Sequence, residues 1–270
     1  MGDVELWTVG VLALVGLVAG FIDAIAGGGG LLAVPALLIA GLDPVTALAT
    51  NKLQSSFGSF SAATAYARAR LIDWRAALPM AGAAFIGAIA GAMLVKIMPT
   101  YVLAAVMPVL LILVALYFMV SPSISFEGGV ARISQRTFTC TIALGVGFYD
   151  GCFGPGTGSF FMIGFVTLLG LSIMRATAHT KLLNFASNFG GLLFFTFAGG
   201  VNVTIGLSMG IGQYIGAQLG ARVAMRNGAR IIRPLLVIVC CVMAVRLLLD
   251  PANPLRDFIM QGITFITGAL

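Results

Sequence analysis

Charge is what this sequence has least of. Lys, Arg, Asp and Glu together make up 9% of 270 residues, against about 25% in soluble domains. Water does not solvate a surface so poor in charge. With 60% apolar residues and a mean hydropathy of +1.07, the chain is expected to live in a lipid bilayer. Histidine occurs once, at His179, and the four cysteines (Cys140, Cys152, Cys240, Cys241) lack metal-ligand or redox spacing. No metal and no other cofactor is therefore expected. A membrane-embedded enzyme is disfavoured too, because it needs a nucleophile with its base or a metal cluster. The net charge of +6 comes from Lys and Arg gathered in short loops between apolar runs. That is an orientation signal rather than a nucleic-acid surface, so no nucleic acid is expected as a partner. Asp3 and Glu5 precede the first apolar run with no basic residue, which argues against a cleaved secretory signal.

Glycine, by contrast, is abundant, with 35 residues, as suits close helix packing in membranes. An apolar run at 4–26 ends in Gly27-Gly28-Gly29-Gly30, and a short run follows at 31–40. After a turn at Asp43-Pro44 comes a long segment at 45–66 dotted with polar residues. Plainer spans follow at 76–97 and 101–120. Residues 121–136 form a polar linker, read as cytoplasmic. The pattern then recurs: a run at 137–149, a glycine-rich stretch at 151–158, a short run at 159–170, a polar-dotted segment at 174–198, and spans at 203–225 and 231–249. The expected organisation is a first repeat at 1–120, the linker, a second repeat at 137–250 and a C-terminal tail at 251–270.

The recurrence is specific. Phe21-Ile22-Asp23 matches Phe148-Tyr149-Asp150 at an offset of 127, and Thr50-Asn51-Lys52-Leu53 matches His179-Thr180-Lys181-Leu182 at 129. Gly87 and Gly91 match Gly216 and Gly220 at the same offset. Loop charges are reversed between the halves. Arg68, Arg70 and Arg75 follow the first polar segment, whereas the loop after the second carries none. Only Lys96 lies in the next loop of the first half, against Arg222, Arg226, Arg230 and Arg233 in the second. Under the positive-inside rule, equivalent loops face opposite sides. The expected fold is an all-α polytopic membrane protein of two inverted-topology repeats, each with a broken or re-entrant glycine-rich element. Inversion needs an odd number of crossings per half: five if the short runs cross, three if they are re-entrant.

Neither glycine-rich stretch is a nucleotide loop, since no Lys follows at the required spacing. One reading makes them packing devices. The other makes them converging backbone N–H groups at a helix start, which is an anion site. Lys52 and Lys181 each lie about eight residues into a helix, and a lysine at that depth must be paired or face water. Lys52, Ser55, Ser56 and Ser59 share one helical face, as do Lys181, Asn184 and Asn188. Asp23 and Asp150 are the candidate ion-pair or coupling partners. His179 is either a packing residue or a substrate contact. The Gly87/Gly91 and Gly212/Gly216/Gly220 ladders mark close helix contacts, either within one chain or across a homodimer.

These residues resemble the TauE/SafE family of sulfite and organosulfonate exporters, in its YfcA-like branch. The carriers are the stretch from Gly20 to Leu32, Ala49 to Gln54, Gly147 to Phe160 and Ala176 to Phe185. The resemblance spans nearly the whole chain. It implies a multi-pass transporter of the bacterial inner membrane for a small, often sulfur-containing anion. The implied transport site takes Gly28, Gly29, Gly30, Asn51, Lys52 and Ser55 from the first half. From the second it takes Gly156, Thr157, Gly158, Ser159, His179, Lys181, Asn184 and Asn188. The expectation is export of a small sulfur anion, with ion-coupled uptake as the alternative.

Overall fold

The computed structural model describes residues 6–120 and 128–227, with isolated positions at 241, 245, 248, 249 and 256. Asp3, Glu5, linker positions 121–127, Arg230, Arg233, Cys240, most of the expected span at 231–249 and most of the tail at 251–270 lie outside them. The described residues are helical, with no strand among them. In chain order the helices are α1 (Leu6–Ala26), α2 (Gly29–Ile39), α3 (Pro44–Arg68), α4 (Trp74–Ile97), α5 (Thr100–Val120), α6 (Gln135–Phe138), α7 (Leu144–Cys152), α8 (Thr157–Thr167), α9 (Ile173–Ala198) and α10 (Val203–Asn227). A π-helical turn at Thr139–Ala143 joins α6 to α7 without a break in helical dihedrals.

Among the described residues, two helices, Trp7–Ala26 and Trp74–Ile97, are long and apolar enough to cross a membrane on length and composition alone. By length, α3, α9 and α10, at 25, 26 and 25 residues, also suffice. They fall short in apolarity because they carry polar side chains inward, among them Ser61, Ser187 and Gln213. The outward residues are apolar, with Leu14, Ile86, Phe197 and Ile211 exposed. This is the reverse of a soluble bundle and fits a lipid surround.

The principal helix contacts come in pairs that exchange of the halves would interchange. α1 packs along α10, and α7 along α4; α3 packs on α10, and α9 on α4; α3 and α9 cross at the centre. The glycine ladders make these contacts. Gly87 and Gly91 meet the backbone of Leu144, Phe148 and Cys152, and Gly216 and Gly220 meet that of Leu17 and Phe21. Any side chain there would drive the helices apart. The ladders are thus occupied within the chain.

The same contacts fix directions. Thr50, Leu53, Phe57 and Ser61 of α3 meet Asn202, Gly206, Gly210 and Tyr214 in turn, so α3 and α10 run parallel. The exposed arginines Arg68, Arg70, Arg75, Arg222 and Arg226 therefore share one end of the bundle. Arg132, Arg136 and Arg175 join them, since the backbone N–H of Arg132 donates to Leu168 O just before α9. Lys96 lies at the opposite end, donating to Ala198 O at 2.9 Å.

α1 starts at the Lys96 end, and α2 must return there to feed α3. The start of α2 lies back against α1, with Gly29 beside Ala19 and Asp23. α6–α7 starts at the arginine end, and α8 returns to it. Each half thus opens with a helical hairpin, and the two hairpins enter from opposite ends. The short helices start earlier than the apolar pattern indicates, inside the glycine stretches, at Gly29 and Thr157.

Candidate functional site

The hairpin tips meet at the centre. Gly27 has φ +78° and Gly154 φ +92°, a backbone shape that glycine adopts without strain, and each lies just past a helix end. A Cβ on Gly27 would come within 2.5–2.8 Å of Gly158 and the Ser159 nitrogen, and one on Gly30 would touch Pro155. The first turns of α2 and α8 therefore lie side by side, each presenting the positive end of a helix.

A helix that stops inside a bundle leaves carbonyl groups without partners. Here side chains from other elements take them up. Tyr66 donates its hydroxyl to Ala24 O (3.0 Å) and Ser159 to Ala26 O (2.8 Å). Lys181 donates to Asp23 O and Lys52 to Asp150 O. Each ammonium also pairs with the carboxylate of the same residue. Lys181 Nζ lies 3.1 Å from Asp23 Oδ2, and Lys52 Nζ lies 2.9 Å from Asp150 Oδ1. Both lysines are fully buried. What makes them tolerable is an opposite charge plus the negative end of a helix. Both pairs run between the halves: Lys52 of the first holds Asp150 of the second, and Lys181 holds Asp23.

A cavity of about 20 Å³, room for one water, lies between the pairs. Asp23, Asp150, Gly30, Asn51, Ser55, Thr157, Gly158, Asn184 and Asn188 line it, with Gly27 and Gly154. The remaining expected residues lie around it. Gly29 donates its backbone N–H to Asp23 Oδ1 at 3.2 Å, and Gly28 caps α2 without a side-chain bond. Gly156, with φ +83°, caps α8 and packs on Val114. Ser159 is turned onto Ala26, and the lysines stand behind their aspartates.

His179 is placed elsewhere. Its Nδ1 pairs with Arg175 O (2.8 Å), and its Nε2 accepts the backbone N–H of Asp73 (3.2 Å), so it ties the α3–α4 loop to α9. It lines a separate cavity of about 130 Å³ at the arginine end. Its equivalent, Thr50, accepts the N–H of Asn202 at 3.0 Å, which is the same tie in the other half. His179→Ala is therefore expected to lower stability by about 1–3 kcal/mol and to leave anion affinity unchanged. Thermal unfolding and anion titration of the purified variant check this; a large loss of affinity would return His179 to the site.

Three site residues escaped the sequence reading. Gly27 and Gly154 were visible only as members of glycine runs. Ser187 donates to Asp150 Oδ2, and its signal was its place on the Lys181–Asn184–Asn188 face. Among the described residues no cluster of His, Cys, Asp and Glu has the grouping of a metal site.

A family model described as "Sulfite exporter TauE/SafE" matches residues 12–247. The "probable membrane transporter protein ORF9" of Sinorhizobium sp is 51% identical over 256 residues, covering 95% of this chain and 98% of that one. The "probable membrane transporter protein YfcA" of Escherichia coli K12 is 45% identical over 241 residues, covering 89% and 90%. A "probable membrane transporter protein" of Haemophilus influenzae is 38% identical over 248 residues, covering 92% and 97%. No solved structure matches the chain.

Proposed function

The chain belongs to the TauE/SafE sulfite exporter family of membrane transporters, and from that premise we propose that it exports a small sulfur-containing anion of the sulfite, thiosulfate or organosulfonate class through the central cavity. One observation carries the reading: two helix starts, one from either half, and two lysine–aspartate pairs, each bridging the halves, converge on a single small polar cavity. Helix starts suit anions, and polar or charged groups at membrane depth are retained for pathways. In the state described the cavity is too small for a four-atom oxyanion. Transport then requires the hairpin tips to part and a lysine to leave its aspartate.

Two inverted repeats, each opening with a re-entrant hairpin, form the topology of this reading. The arginine end faces the cytoplasm. Single cysteines introduced as Arg70→Cys and Arg226→Cys in a Cys-less background should both label from the cytoplasm, and Thr100→Cys from outside. Labelling of positions 70 and 100 from the same side removes the model.

Direction follows from charge. An inside-negative potential drives an anion outward by about 2.3 kcal/mol per charge per 100 mV without a coupled ion. Proteoliposomes loaded with sulfite, thiosulfate or an organosulfonate, with the potential clamped at either sign, test substrate and direction together. Efflux should follow the potential for at least one of them. Uptake that appears only with a proton or sodium gradient would replace export by coupled uptake.

A further inference from the structure

We infer that the two ion pairs have different tasks: Lys181–Asp23 is the pair that an arriving anion opens, and Lys52–Asp150 is a fixed fastening between the halves. The inference rests on the transport-site reading above and assigns its parts. It comes from positions that the internal repeat makes equivalent but that carry different side chains. Ser187 donates to Asp150 Oδ2. Its equivalent 129 residues earlier is Gly58, which has no side chain, and the Gln213 side chain fills the space beside it. Thr157 donates to Asp150 Oδ1 at 3.1 Å, where the first half has only glycine. Asn188 Oδ1 lies 3.5 Å from Lys52 Nζ, whereas its equivalent, Ser59, turns its hydroxyl onto Ser55 O of its own helix at 2.6 Å.

The sums differ for both partners. An ammonium has three N–H donors. Those of Lys52 go to Asp150 O, Asp150 Oδ1 and Asn188 Oδ1. Lys181 has Asp23 O and Oδ2, which leaves one donor without an acceptor among the described residues. Asp150 accepts from Lys52, Thr157 and Ser187, while Asp23 accepts from Lys181 and the Gly29 N–H. The Asp23 side chain is 11% exposed and that of Asp150 2%. The Lys52 stem also lies in a slot cut by Gly191, where even a Cβ would come within 3.2–3.3 Å of it; the equivalent residue is Ala62. Lys52 is thus saturated and wedged. Lys181 keeps a donor in reserve, and its carboxylate partner is the more exposed of the two that line the cavity. An anion entering between the hairpin tips meets Lys181 as the cation free to turn.

The test uses the full chain purified in detergent, with sulfite as the probe. Without any anion, Asp150→Asn should lower the melting temperature more than Asp23→Asn does; failure of Asp150→Asn alone to fold is the same inequality at its extreme. Ser187→Ala should narrow the difference, because it removes one of the bonds that set Asp150 apart. With sulfite, Asp23→Asn removes the internal competitor for Lys181. If the pair is closed about nine-tenths of the time in the empty protein, apparent affinity rises about tenfold, and Asp150→Asn gives no such gain. Equal melting shifts, or tightening by Asp150→Asn instead, overturn the inference while leaving the transport site in place. Unequal shifts with no binding of sulfite, thiosulfate or an organosulfonate to any variant would sink the transport-site reading and the anion-opened pair with it, and leave only the fastening.

Discussion

Gly158→Ala protein should insert and purify normally and yet lose transport by about two orders of magnitude or more, the scale of loss that a 1 Å misplacement brings at a positioned site. The added methyl group would have to share space with Gly27 Cα, 2.5 Å away, and Asn184 Nδ2, 2.8 Å away. It pushes the hairpin tips apart at the point where both helix starts line the cavity. The α4–α7 and α1–α10 ladders, which hold the bundle together, do not include this residue. Flux in proteoliposomes, beside thermal unfolding of the same preparation, measures the two separately. Normal flux would show that the tips need no close approach, and the glycine stretches would then be packing devices.

Breaking one buried pair should have the largest effect on stability. Lys52→Met leaves the Asp150 carboxylate buried without its cation, at an expected cost of about 3–5 kcal/mol. Combining it with Asp150→Leu removes both charges and should restore most of that loss, because an apolar pair of similar size needs no compensation. The comparison is made by unfolding both proteins in detergent. A double variant as unstable as the single one would mean that shape at this spot, rather than charge, holds the halves together.

Much of this was legible in the sequence. The repeat offsets of 127 and 129 located both hairpins, both polar helices and the deep charges, because these residue types are costly in lipid and therefore stand out. The pairing was not legible. Asp23 lies nearer in sequence to Lys52, yet it pairs with Lys181, 158 residues away, because α1 and α9 bring their charges together across the halves. An apolar run of about ten residues fits half a membrane whether it continues or turns back, so only the contacts of α2 and α8 decide that they return. His179 stood out for its rarity, but its partner is a backbone N–H that no composition reveals. Its equivalence to Thr50, and that of Asp73 to Asn202, held the clue.

Because α1 packs on α10 and α7 on α4, neither half is complete until the other has been made. Between Ala26 and Val203 lie 176 residues, which at about 5–20 residues per second take roughly ten to thirty-five seconds to synthesise. Throughout that interval α1, with its glycine-lined groove and the Asp23 carboxylate, waits in the bilayer without the helix that covers it. Separately expressed halves should accumulate only when made together in the same cell.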